Sequence, residues 1–266
     1  MHRTPSFMDP LITIDSTSSD RRTEVDSLRH DLGLQAPPEE RVRPGEIRLV
    51  LHDHHVEVMS ETSVRRGTRV DFSNVDTRTG SGNISRNQLL GRAVADRSAR
   101  RTGASHSIID ATAGFGHDAF MLACMGHDIT AIECNPVIHF LLQSSIRNAE
   151  SDPLLSAAMG DRLRSIHGDS VDILSGHAPV DTVYLDPMFE VTNHRSALPK
   201  KRAQLLRLLA GSPRDSCELF DAAMSRATRR VVVKRSTGAE PLVARPDHSV
   251  SGKIARYDIY LINRSR

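Results

Sequence analysis

From residue 107 onward, short apolar runs alternate with helix-like stretches, and the runs end on carboxylates. "SIID" closes on Asp110, "DITAIE" on Glu133, "RSIHGD" on Asp169 and "DTVYLD" on Asp186. Between them lie "HDAFMLACMG", "VIHFLLQSSIRNAE" and "LLSAAMGDRL", which read as helices; "RVVVKR" and "YDIYLI" add two more strands. Strands spaced by helices predict a doubly wound, mostly parallel α/β sheet whose ligand crevice opens at the carboxyl ends of the strands. A row of acids at those ends is therefore a row of candidate ligand contacts. Scattered solvent-facing carboxylates would not keep that order.

The first strand runs into "DATAGFGHDAF", which sets Gly114 and Gly116 between a strand and a helix. Glycine permits the tight turn and a close backbone approach, and the helix start offers unpaired N–H groups. Glu133, at the end of the next strand, can accept hydrogen bonds from two ribose hydroxyls. Gly114, Gly116 and Ala119 also satisfy the dinucleotide spacing, so a hydride-transfer enzyme stays open on this evidence. Two residues favour S-adenosylmethionine. Asp110 stands where a carboxylate can hold a cationic methionine moiety, and Asp169 where an adenine amino group needs an acceptor. Asp118 reads equally as a ligand contact or as an ordinary acid at a helix start.

The fourth strand breaks its own pattern in "VYLDPMFE". Pro187 has no N–H for a ladder and forces Asp186 into an extended conformation, so the chain leaves the sheet there. It carries out a carboxylate, a free carbonyl and an aromatic ring. Methylation of an exocyclic amine on a planar base uses all three. The amine lone pair is delocalised into the ring and needs orienting, which Asp186 and the Pro187 carbonyl can do by accepting its N–H groups. Phe189 can stack on the base, and positioning with electrostatics then drives the displacement. The stretch resembles the Asp/Asn-Pro-Pro-Phe/Tyr signature of amino-group methyltransferases, with Met188 in place of the second proline.

Taken together, "DATAGFGHDAF", "ECNPV", "VYLDPMF", "SALPKK", "RVVVKR" and "YDIY" are similar to the ribosomal RNA small subunit methyltransferase J family, from about Val70 to Ile262. That resemblance implies a Rossmann-like class I methyltransferase that uses S-adenosylmethionine, releases S-adenosylhomocysteine and methylates N2 of a guanine near the 3′ end of 16S RNA. It also implies cofactor contacts at His117 and Asp118, Glu133 and Cys134, Asp169 and Ser170, and Asp186. Within the pattern, His117 and Cys134 stand where arginine is usual, Asp169 replaces a small polar residue and Glu190 replaces a proline. Residues 73–85 lack the family's basic, glycine-rich stretch.

The N-terminal part reads as a small α/β subdomain over residues 1–72. A strand "LITIDS", a helix over 21–34 ending near Gly33, two strands around the turn "HDHH" and a strand "GTRVDF" make it up. Residues 73–87 have the composition of a mobile loop, "QLLGRAVADRSARR" reads as one helix, and residues 88–266 form the catalytic domain. "HDHH" reads as a solvated turn, with no metal expected.

A formal charge of +2 over 266 residues says little about partners, but its distribution does. Basic residues cluster over 86–101, over 195–207 and over 226–235. Such clusters predict a polyanion-facing surface, with Lys200, Lys201, Arg202, Lys234 and Arg235 as candidate RNA contacts. For Lys234 and Arg235 the competing reading is a salt bridge at a strand end. Three cysteines without a CxxC pair fit a reducing compartment. No apolar run spans a bilayer or forms a signal peptide, so a cytoplasmic protein is expected. Other planar amines, adenine N6 or a protein glutamine amide, stay open as substrates. So does a non-catalytic RNA-binding assembly factor, although retention of both Glu133 and Asp186 speaks against it.

Overall fold

The computed structural model describes residues 10–38, 41–61, 67–78, 84–187, 201–210, 215–243 and 245–262. These fall into two compact units, Met1–Val70 with Ser196–Gly211, and Asp71–Arg195 with Ser212–Arg266. In the first, β1 (Leu11–Ser16) pairs parallel with β2 (Glu46–Leu51), joined by the crossover helix α1 (Arg22–Leu32). Gly33 ends α1 with a left-handed φ of 64°. Antiparallel β3 (Val56–Ser60) and β4 (Thr68–Val70) complete a four-stranded sheet. The buried Glu46 accepts from Thr13 Oγ1 at 2.8 Å and pairs with Arg48 at 2.9 Å, so this acid does not stand uncompensated. A helix from much later in the chain, α8 (Lys201–Ala210), lies against β4 and buries Leu205 and Leu209. Sequence reading put that stretch with the catalytic domain; contacts group it with the N-terminal unit.

The larger unit holds α2 (Leu89–Val94), α3 (Arg97–Thr102), β5 (Ser107–Asp110), α4 (His117–Cys124), β6 (Asp128–Glu133) and α5 (Pro136–Ser151). These are followed by α6 (Pro153–Met159), β7 (Leu163–His167), α7 (Ser170–Gly176) and β8 (Val180–Leu185). After these come α9 (Ser216–Arg226), β9 (Ala227–Ser236), β10 (His248–Ser251) and β11 (Ala255–Leu261). The seven-stranded sheet has the order β10-β11-β9-β8-β5-β6-β7. Strands β9, β8, β5, β6 and β7 run parallel, β11 pairs antiparallel with β9, and β10 pairs antiparallel with β11. This is the doubly wound, Rossmann-like architecture of class I methyltransferases. The order reverses between β5 and β8, the point at which such sheets open a crevice.

The central strands are continuously apolar because both faces are covered. Ile108, Ile129, Tyr184 and Val232 face one cluster with Phe72, Phe120 and Leu122. Ile109, Ile132, Val183, Leu185, Val231 and Val233 face the other with Phe220. The alternation of neighbours such as Ile108 and Ile109 between clusters is the period-2 geometry of a strand. Asn135 caps α5 by accepting from the N–H groups of Val137 and Ile138, with Pro136 in the first turn. The single helix expected from "QLLGRAVADRSARR" is instead two. Ala95 is extended, and Asp96 accepts from Ala99 N at 2.8 Å to start α3 afresh. At the ends of the expected loop, Val75 and Ile84 are buried in the core. Among the described residues, no helix is long and apolar enough to cross a membrane.

Gly116 joins fold to site. It precedes α4 with φ 75°, and an added Cβ would lie 2.2 Å from Leu142 Cδ1 on α5. Gly116→Ala is expected to destabilise the protein by about 1–3 kcal/mol through strain and overpacking together. Urea denaturation checks this, with the midpoint falling at unchanged slope.

Candidate active site

Backbone bonds across the switch point fix the loop that follows β5. Ala111 N donates to Tyr184 O at 3.0 Å and Ala113 N to Ile132 O at 3.0 Å, so the loop is tied to both neighbouring strands. Glu133 anchors it from the side: Oε2 accepts from Gly114 N at 2.9 Å and Oε1 from Asn135 N at 2.8 Å. Each carboxylate oxygen has a second lone pair, so this anchoring leaves acceptor capacity at the loop. Cys134 Sγ lies 3.6 Å from Glu133 Oε1. Asp169 caps α7 by accepting from Val171 N at 2.8 Å, and the buried Ser170 hydroxyl donates to Ala111 O at 2.6 Å. These contacts give Glu133, Asp169 and Ser170 structural work beside any ligand role.

Asp186 leaves β8 with its N–H donating to Thr112 Oγ1 at 2.6 Å, and Pro187 behind it is buried. Lys234, on the neighbouring β9, places Nζ 2.9 Å from Asp186 Oδ2 and 2.7 Å from Asp118 Oδ2. Tyr184 adds a third partner, its hydroxyl donating to Asp118 Oδ2 at 2.6 Å. Asp118 thus faces β8 and β9. Burial alone would raise its pKa, but Lys234 and the Tyr184 hydroxyl bring it below the usual carboxylate range. Burial, followed by the Asp118 charge, raises Asp186 despite Lys234. Asp110 is 2% exposed, and among the described residues no ion pair reaches it. Burial, with Asp118 and Asp186 adding repulsion against the Thr112 N–H bond, pushes it to about 8. Tyr257, across from Lys234 on β11, is pushed up to about 12, chiefly by burial.

The expected residues Asp110, Gly114, Gly116, Glu133, Asp169, Ser170, Asp186 and Pro187 come together at the carboxyl edge of the sheet. His117 is exposed at the start of α4. Met188, Phe189, Glu190 and Lys200 lie outside the described residues. Two contributors were missed. Thr112 sits inside the quoted loop, and Tyr184 was read only as an apolar strand residue, although a buried phenol needs a hydrogen-bond partner.

Three arginines of the basic cluster over 226–235 are engaged within the protein. Arg226 donates to Ser175 O, Arg229 pairs with Asp96 at 2.5 Å and the buried Arg230 donates to Ala93 O. Lys234, expected to meet RNA phosphate, is held by two carboxylates, so the salt-bridge reading replaces that one. Arg235 stands opposite Arg256 in the β9–β11 register. In the 86–101 cluster, Arg86 donates to Met125 O and Ala104 O, while Arg92, Arg97 and Arg101 are exposed. At the "HDHH" turn, Glu57 lies 3.9 Å from His52 Nε2 and 3.7 Å from His55 Nε2. The two rings stack within 5° of parallel, and His52, His55 and Glu57 bring their ligand atoms within 4.8 Å of one another.

A family described as "Putative SAM-dependent methyltransferase" matches residues 30–262. The ribosomal RNA small subunit methyltransferase J of Thioalkalivibrio sulfidiphilus is 36% identical over 95% of this chain and 98% of its own length. The chain belongs to the ribosomal RNA small subunit methyltransferase J family. Its counterpart in Shewanella loihica is 39% identical over 64% of this chain and 66% of its own. Among solved structures, a SAM-dependent methyltransferase from Neisseria gonorrhoeae covers 96% of this chain and 97% of its own. The two share 27% identity, and the TM-score is 0.66.

The cofactor of this family is S-adenosylmethionine, and the donor set fits it. Among the described residues, Asp118 and Asp186 share the Lys234 ammonium and Asp110 is close enough to feel both acids, so the crevice is short of positive charge. A ligand with a sulfonium and an α-ammonium supplies that charge, whereas a pyrophosphate would add to the repulsion. With the family match, this removes the dinucleotide reading. The same shortage makes Asp110 a liability in the protein alone. Because its folded pKa lies above the unfolded value near 3.9, the folded state binds the extra proton, and stability falls as pH rises from about 4 to about 8. Asp110→Asn is therefore expected to raise the melting temperature at about pH 9 and to change it far less at about pH 5. Thermal unfolding of both proteins at the two pH values checks the sign.

Proposed function

We propose that this chain methylates the exocyclic N2 of a guanine near the 3′ end of 16S ribosomal RNA, in the cytoplasm, on free RNA or on the small ribosomal subunit. The observation that carries the reading is Asp186, a carboxylate whose side chain is 42% exposed beside the glycine loop at the switch point. The relatives' names supply ribosomal RNA of the small subunit, and the D-P-M-F resemblance supplies a planar amine and guanine N2. Asp110, Gly114, Gly116, Glu133 and Asp169 are assigned to the cofactor on their chemistry, with His117, Asp118, Cys134 and Ser170 assigned by resemblance.

When bound, S-adenosylmethionine supplies an electrophilic methyl group. This chain's residues orient the acceptor. Asp186 and the Pro187 carbonyl accept from the guanine NH₂, favouring a pyramidal nitrogen whose lone pair points at the methyl. The Phe189 ring stacks on the base and fixes its plane. The N–H proton becomes acidic as the new bond forms, so no strong base is required. Hydrogen bonds that strengthen as the nitrogen rehybridises act on the transition state more than on the bound substrate.

Phe189 and Asp186 should fail differently. Phe189→Ala is expected to keep S-adenosylhomocysteine affinity while cutting single-turnover methylation by about 5- to 150-fold, the loss of 1–3 kcal/mol of stacking. Phe189→Tyr should retain most of the activity, and Asp186→Ala should lose more than Phe189→Ala. Wild-type methylation by Phe189→Ala, with unchanged stability, would remove the ring from the base. Mass spectrometry of 16S RNA from cells lacking the gene tests the target, since the reading requires the loss of one N2-methylguanine.

Lys200, Lys201, Arg202 and Arg235 are proposed to meet RNA. Of these, Lys201 is exposed on α8. Replacing Lys200, Lys201 and Arg202 with alanine should reduce the slope of log affinity against log salt by about 2. Filter binding at several salt concentrations checks it, and an identical slope would exclude this cluster.

A further inference from the structure

The ion pairs of Lys234 lie at the carboxylate that the reaction uses, and no role in methyl transfer has yet been given to this lysine. Nζ is within 2.9 Å of one oxygen on each of two acids carried by different elements, Asp118 on α4 and Asp186 after β8. The Tyr184 hydroxyl shares Asp118 Oδ2, so the anchoring acid is itself fixed. Thr112 Oγ1 receives the Asp186 N–H, so backbone and side chain of Asp186 are held from opposite sides. We infer that Lys234 is a positioning residue for methyl transfer, anchored by Asp118 and Tyr184, that holds Asp186 as an aimed anion ready to accept the substrate amine.

Among the described residues, the charges facing Asp186 come from several elements. Asp110 on β5 and Asp118 on α4 repel its negative charge, and Lys234 on β9 supports it. Tyr184 on β8 and Tyr257 on β11 are phenols that burial keeps protonated, and His117 stands beside Asp118. Lys234 itself stays charged: burial opposes the charge, but Asp118 and Asp186 outweigh it and raise its pKa. Remove the ammonium, and the three acids lose the counterion that the described residues give them. Asp186 then takes up a proton, and a neutral acid is a weaker acceptor for an N–H group than a carboxylate is. Removing Asp118 instead takes away a repelling charge, so the two changes act on Asp186 with opposite sign.

The inference rests on the proposed role of Asp186, and the experiment separates the two. Full-length protein carrying ¹³Cγ-aspartate, saturated with S-adenosylhomocysteine, is titrated by NMR, with Asp186 assigned by its loss in Asp186→Asn. In Lys234→Met the Asp186 midpoint should rise by about one to three pH units, in Asp118→Asn it should fall, and Lys234→Arg should stay near wild type. Methylation by Lys234→Met should then be lowest at acidic pH and recover about tenfold per pH unit towards the new midpoint, at similar RNA affinity. An Asp186 midpoint that does not move in Lys234→Met overturns the inference. So does a loss of S-adenosylhomocysteine affinity beyond about tenfold with the midpoint unmoved, which would make Lys234 a cofactor ligand. If instead the midpoint moves as stated but guanine N2 is not methylated, the proposed substrate fails and the role of Lys234 stands.

Discussion

Three carboxyl groups, Asp110, Asp118 and Asp186, converge beside the switch point of the sheet, and among the described residues Lys234 is the cation paired with two of them. Burying like charges side by side is unfavourable unless a counterion or a proton relieves them. Here the relief is divided. Lys234 serves Asp118 and Asp186, while Asp110 is left to a proton or to a cationic ligand. The crevice is therefore built around a charge deficit that a proton or a cationic ligand relieves. Strong central packing on both faces of the sheet carries the cost of this arrangement, as expected where function and stability compete.

Much of this was legible in the sequence because it is local. The acids at strand ends follow from where apolar runs stop, and Asn135-Pro136 announces its own cap. Gly114 and Gly116 mark the loop because only backbone freedom and close approach explain them there. The pairing of Lys234 was not legible. Asp118, Asp186 and Lys234 are far apart in the chain and meet only because β9 is laid beside β8, next to β5 and the helix that follows it. The same holds for the arginines of 226–235. As a linear run they look like a patch, yet a strand and the helix before it turn them in different directions, to Ser175, Asp96 and Ala93. Helix α8 was assigned to the wrong unit for a related reason, since chain position says nothing about which sheet a returning segment packs against.

Glu133 shows how structural and ligand roles can share one side chain. A carboxylate that accepts from Gly114 and Asn135 shapes the loop before any cofactor arrives. The site is thus partly preorganised by the residue expected to read the ribose, which lowers the ordering cost of binding. It also means that a substitution at Glu133 disturbs the loop itself, whatever else the side chain contacts.

The chain has three tyrosines and no tryptophan. Tyr184 donates to Asp118 at 2.6 Å, and its ring centroid lies 6.4 Å from that of Tyr257, which stands opposite Lys234. Two of the three phenol fluorophores therefore belong to the charge cluster, and no indole emission covers them. In ultraviolet light the protein carries its own indicator of this crevice: a proton or a cation entering it changes the surroundings of two of the three tyrosines the molecule has.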